Sequence, residues 1–109
     1  MLQSLLGSTN SEKALMFLYC RGEGYARQIA RFYRVSLRPV QRQLEKLESA
    51  GVIYSRMLGK TRLYCFNPRY PFLAELNALL AKALQFYPAP DRTALTLNRR
   101  RPRKARKPL

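Results

Sequence analysis

The chain has 109 residues, of which 21 are lysine or arginine and 6 are aspartate or glutamate, giving a formal net charge of +15. Histidine is absent and cysteine occurs only as Cys20 and Cys65, so histidine acid–base catalysis is excluded and a dedicated zinc site is not expected. The length and a 47% hydrophobic content suit one small domain plus a tail; no run of about 18 apolar residues could cross a membrane, and the start lacks the basic and apolar regions of a secretory signal.

These exclusions place the protein in the cytoplasm, where Cys20 and Cys65 read as small apolar core residues and not as a disulfide. The charge balance points to a polyanionic partner. Its distribution sharpens the point. Residues 91–109 hold eight basic side chains against Asp91, a net of +7, so residues 1–90 carry the other +8 of the +15. The predicted domain is basic without its tail.

In chain order, Leu2, Leu5 and Leu6 form a short apolar segment that suits a single helical turn. Asn10 or Ser11 is the expected N-cap of a helix running to about Arg21, with Leu15, Leu18 and Tyr19 at helical spacing. After Gly22 and Gly24, a second helix is expected from about Tyr25 to Tyr33, its buried stripe made by Ala26, Ile29, Ala30 and Tyr33. Arg27, Arg31 and Arg34 then point elsewhere. A turn at Arg34-Val35 leads to Ser36 as N-cap of a third helix ending near Ala50. Pro39 falls in its first turn, where a missing N–H has no helical partner to lose. Val40, Leu44 and Leu47 give its buried face, and Gly51 stops it.

Val52–Leu58 and Thr61–Phe66 read as strands of a hairpin turning at Gly59-Lys60. The alternation is too poor to fix which side chains share a face, although Tyr54 and Tyr64 read as core. Asn67-Pro68 breaks the chain. A last helix is expected over about 71–87, where Leu73, Leu76, Leu80 and Leu84 keep 3-4-4 spacing and Leu79, Ala83 and Phe86 widen the stripe. Pro88 and Pro90 end it, and residues 91–109 read as a disordered basic tail. The domain is thus 1–90, with residues 71–87 as its dimerisation helix.

The order helix, helix, turn, helix, hairpin, helix is that of a mainly α, α+β winged helix-turn-helix. Its third helix, 36–50, suits the major groove. Leu37, Arg38, Gln41 and Arg42 stand exposed near the start of that helix, with Lys46 one turn on. Arginine matches guanine, and glutamine adenine, by paired hydrogen bonds. Arg56, Lys60 and Arg62 on the hairpin suit phosphates or a minor groove, and Arg27 suits backbone phosphates.

Leu6-Gly7-Ser8, Tyr25-Ala26-Arg27-Gln28-Ile29-Ala30 and the run from Val35-Ser36-Leu37-Arg38-Pro39-Val40 through Ser49-Ala50-Gly51-Val52-Ile53 resemble the ArsR-like winged helix regulators of bacteria and archaea. Gly59-Lys60-Thr61-Arg62-Leu63-Tyr64 and Asn67-Pro68 resemble that family's wing and its exit. The resemblance spans roughly residues 5–87. It implies a dimeric repressor or activator, with recognition positions at Ser36, Leu37, Arg38, Gln41 and Arg42 and the wing at Arg56, Lys60 and Arg62. It does not carry metal sensing, which relies on clustered cysteines or histidine–carboxylate pairs that this sequence lacks. The basic tail is also outside the family pattern.

The predicted function is therefore sequence-specific binding of double-stranded DNA by a homodimer. Leu73, Leu76, Leu80 and Leu84 form its interface, and neither a cofactor nor a metal is required. An enzyme is not expected, since no phosphate loop or catalytic set is present. Two other readings stand beside this one. The first is an RNA or single-strand binder that stacks bases on the hairpin aromatics. The second is a protein-interaction module, or accessory subunit, of a nucleotidyltransferase-like partner.

Overall fold

Five consecutive apolar residues, Ala14 to Leu18, are all buried. A helix with buried residues all round its circumference has to lie inside the molecule. The computed structural model describes residues 1–96 and places that helix at the centre. The elements run α1 (Gln3–Leu6), α2 (Thr9–Arg21), β1 (Glu23–Tyr25), α3 (Ala26–Tyr33), α4 (Leu37–Ser49), β2 (Ile53–Leu58), β3 (Thr61–Phe66) and α5 (Leu73–Leu84). A helical segment over residues 89–96 follows. Around α2 pack α1, α3, α4, α5 and the strands β1 and β3.

The central helix begins earlier than expected. Ser8, not Asn10 or Ser11, is its N-cap, and the Ser8 hydroxyl accepts the Ser11 N–H at 3.0 Å. Ser36 does precede α4, but its side chain makes no capping bond. The turn between α3 and α4 is made by Arg34, whose left-handed φ of 58° is uncommon for a residue with a Cβ. At the other end of α4, Gly51 takes φ 82°, and the Val52 N–H reaches back to the Leu47 carbonyl at 3.0 Å. This closes the helix as anticipated.

The sheet has a strand that the sequence did not announce. β1 pairs antiparallel with β3, and β3 with β2, in the order β1-β3-β2. A Cβ on Gly24 would stand 2.8 Å from Phe17 Cε1, so the strand can lie against α2 only because residue 24 is glycine. The register settles the hairpin's faces. Ile53, Ser55 and Met57 oppose Phe66, Tyr64 and Arg62, while Tyr54, Arg56 and Leu58 oppose Cys65, Leu63 and Thr61. Ile53 and Tyr64 belong to the core. Tyr54, expected there too, lies on the opposite face and is 41% exposed.

Two further expectations are corrected. Residues 91–96 are not a tail: they continue the helical segment, and Leu95 is only 1% exposed within the core. Burying a leucine contributes about 1.5–3 kcal/mol, and Arg21 adds to the hold. Its Nε donates to the Leu95 carbonyl at 2.8 Å and its Nη2 to that of Ala94 at 3.3 Å. The remaining tail positions, 97–109, lie outside the described residues. Leu80 is the second correction. It is 0% exposed and belongs to the protein's own core, so it is not available to a partner subunit. Among the described residues no helix is long and apolar enough to cross a membrane.

Candidate nucleic-acid interface

Helix α4 is positioned by its apolar side. Val40 and Leu44 are buried, and the half-buried Leu47 packs on the same core. What this leaves outward is a stripe at helical spacing: Arg38, Arg42, Glu45, Lys46 and Ser49 are exposed. Three of the five are basic. Ser36 is exposed ahead of the helix, and Gln41 lies half-buried at the edge of the stripe. Leu37 departs from the expected recognition set, because its side chain packs against the core. The helical period explains this: residue 37 stands three before Val40 and seven before Leu44, on their side of the helix.

The hairpin divides its cations between two faces. Arg62 shares a face with Ser55, and its Nη1 donates to the Ser55 hydroxyl at 2.9 Å. That hydroxyl donates in turn to Glu48 of α4 at 2.7 Å. The chain Arg62–Ser55–Glu48 ties the hairpin to α4 and holds Arg62 on the helix side. Glu48 thus pairs with a basic residue of its own protein through one intervening hydroxyl. Arg56 sits on the other face, with Nη2 3.8 Å from Glu23 Oε1. Both of these side chains are half exposed, so the pair adds at most about 1 kcal/mol. Lys60 is exposed in the turn between the strands.

A second basic group lies at the start of α3. Arg27 and Arg31, one helical turn apart, are exposed. With Arg21, Tyr25 and Thr61 they line a shallow cleft of about 360 Å³. The guanidinium of Arg21 lies over Phe17 and Phe32, at 4.6 and 5.1 Å from the ring centroids. Sequence reasoning passed over Arg21, because its carbonyl partners are 74 and 73 residues away along the chain.

The four leucines read as a dimer face behave differently from one another. Leu80 is core, Leu76 and Leu84 are half-buried against that core, and Leu73 is half-buried. The apolar side chains most open at the two ends of α5 are Phe72 and Phe86, at 61% and 64% exposure. Cys20 is buried and Cys65 half-buried, neither in a disulfide, and no cluster of potential metal ligands occurs among the described residues.

No protein-family model matches the chain, and no curated protein matches it. Among solved structures it is similar to ZitR of Lactococcus lactis, in the apo form of a variant with two substitutions. The TM-score is 0.55 at 21% identity, over 79% of this chain and 68% of that one. At that identity the likeness is one of fold. Together with the α3–turn–α4 unit and the β2–β3 hairpin beside it, it makes the chain a winged helix-turn-helix protein of the α+β class.

Proposed function

We propose that this protein is a regulator of transcription that binds double-stranded DNA in a sequence-dependent manner, with α4 in the major groove and the wing on the backbone or in the minor groove. The observation that carries this reading is the outward stripe of α4, where Arg38, Arg42 and Lys46 stand free of the core with Gln41 at their edge. A helix read in this way needs donors that match base edges at its start and cations to hold it against phosphates. Arg38, Gln41 and Arg42 take the first role. Ser36 joins them as a neutral hydroxyl at the start of the helix; Lys46, Lys60 and Arg62 take the second role, with Arg27 on α3, and Arg56 contributes through the field of the wing. The protein works as a homodimer through the outer side of α5, where Leu73 lies between Phe72 and the rest of the helix. It has no catalytic role and acts in the cytoplasm.

Selection of bound sites from random duplex DNA tests the reading. A recovered motif with two half-sites about 34–36 Å apart, or a multiple, fits a two-fold dimer. Recovery of no motif, with single-stranded competitor as effective as duplex, would overturn it.

A further inference from the structure

We propose that the cavity between α2, the end of α3 and the segment that follows α5 binds a small organic ammonium ion. The cavity measures about 560 Å³, within the range of roughly 300–1,000 Å³ typical of small-molecule sites. Four aromatic side chains line it, Phe32, Tyr33, Phe86 and Tyr87, and so do two carboxylates, Glu12 and Asp91. The chain has 6 acidic residues in all against a net charge of +15. Two of them line this hollow beside the four rings, where Lys13 and the Met1 ammonium balance them in formal charge, so the ring faces and the Asp91 carboxylate at the rim are the groups left to hold a cation. Aromatic faces carry negative charge density and attract cations, most strongly where water is excluded.

One wall already does so. Lys13 Nζ stands 5.6 Å from the centroid of the Tyr33 ring. The Tyr33 hydroxyl is buried with no hydrogen-bond partner, an unmet oxygen acceptor for an N–H. Burial, foremost, keeps that hydroxyl from ionising, with the charge on Glu12 and Asp91 adding to the effect. Glu12 is 5% exposed, and its oxygens are taken by the Tyr87 hydroxyl at 2.5 Å, the Leu2 N–H at 2.7 Å and the Met1 ammonium at 3.2 Å. It contributes a field. Asp91 is exposed at the rim and has no ion pair among the described residues, so it is the carboxylate free to meet the ligand. Lys13 and the Met1 ammonium are the opposing charges at the site. A ligand with one aromatic ring and one ammonium matches the walls and the acids together.

The site is independent of DNA binding and is tested on the full chain without DNA. Benzylammonium chloride is titrated at neutral pH and followed by aromatic proton NMR, with benzyl alcohol and sodium benzoate as neutral and anionic controls of similar size. The expected result is saturable binding that shifts Tyr33 and Tyr87 signals. Binding should weaken about tenfold in Asp91→Asn and in Phe86→Ala and stay unchanged in Glu75→Gln, an exposed acid of α5 outside the cavity. Lys13→Gln removes a competing cation and should tighten binding severalfold, a gain that a damaged fold cannot mimic. Benzoate or benzyl alcohol binding as tightly as benzylammonium overturns the proposal. So does the absence of saturation, or wild-type affinity in both Asp91→Asn and Lys13→Gln.

Discussion

Arg56 and Arg62 belong to one hairpin yet lie on opposite faces of it, because the antiparallel register sets Arg56 across from Leu63 and Met57 across from Arg62. Arg62 is held on the α4 side and Arg56 is engaged by Glu23. Arg62→Ala should therefore lower the slope of log affinity against log salt by about 1, while Arg56→Ala should change it less. Salt titrations of both variants on one duplex decide the matter; the opposite ranking would place the outer face against DNA.

Glu12 makes a prediction about pH. Burial pushes its carboxyl up, but bonds from the Tyr87 hydroxyl, the Leu2 N–H and the Met1 ammonium outweigh burial and hold it below the usual carboxylate range. A carboxyl lowered on folding stabilises the fold above its unfolded value, near 4.5, and that contribution is lost as pH falls through the folded value. Tyr87→Phe should cost about 1–3 kcal/mol at neutral pH. Chemical denaturation below pH 4.5 should then bring variant and wild type closer together. A constant gap across that range would show the bond does not depend on the charge of Glu12.

At the scale of elements, α4 and α5 make contrasting predictions. Alanine at Arg38, Gln41 or Arg42 should each cost about 1–3 kcal/mol on the preferred duplex and relax preference there. Wild-type ratios of specific to random binding in all three would remove α4 as the reader. In α5, Leu80→Asp should unfold the protein instead of separating subunits, since residue 80 is fully buried. Leu73→Asp should leave the thermal melt nearly intact and convert a dimer to a monomer by light scattering. A wild type that is monomeric at tens of micromolar removes the dimer altogether.

The helices were legible because their apolar residues recur at the helical period, and α4 doubly so because Ser36 and Gly51 bracket it. The outward basic positions 38, 42 and 46 followed from that period. Leu37 turns inward because its spacing to Val40 and Leu44 puts it on their side of the helix, although its neighbour Arg38 is exposed. Other features left no local trace. β1 is three residues long, too short for alternation. The hairpin's phase was hidden by the apolar runs Val52-Ile53 and Leu63 to Phe66. Residues 91–96 were concealed behind Pro88 and Pro90, although a proline is harmless in the first turn of a new helix. The cavity joins α2 to positions some 75 residues later, a relation that no periodicity records.

At the scale of the whole molecule, the charge outside the described residues has its own test. Arg99, Arg100, Arg101, Arg103, Lys104, Arg106 and Lys107 form a dense cationic run interrupted by Pro102. Each phosphate neutralised contributes roughly 0.9 to the salt slope. If about four of these cations engage, truncation after Leu97 should lower the slope by about 3–4 and weaken specific and random DNA alike. An unchanged slope would mean the run does not touch DNA, and a changed ratio would mean it reads sequence or shape.

Both ends of α2 are completed by distant parts of the chain: Glu12 by Tyr87, and Arg21 by the carbonyls of residues 94 and 95. During synthesis the helix at the centre of the fold leaves the ribosome some 75 residues ahead of the partners that complete it. Until then Leu95 cannot fill its place and the Arg21 guanidinium has no carbonyl to meet, so the nascent chain waits with an unfinished interior. Contacts of such sequence separation slow folding and lengthen the time during which a growing chain can be captured or cleaved. A chain stopped at residue 90 would remain in that state permanently, and its expected fate in a cell is rapid proteolysis in place of partial function.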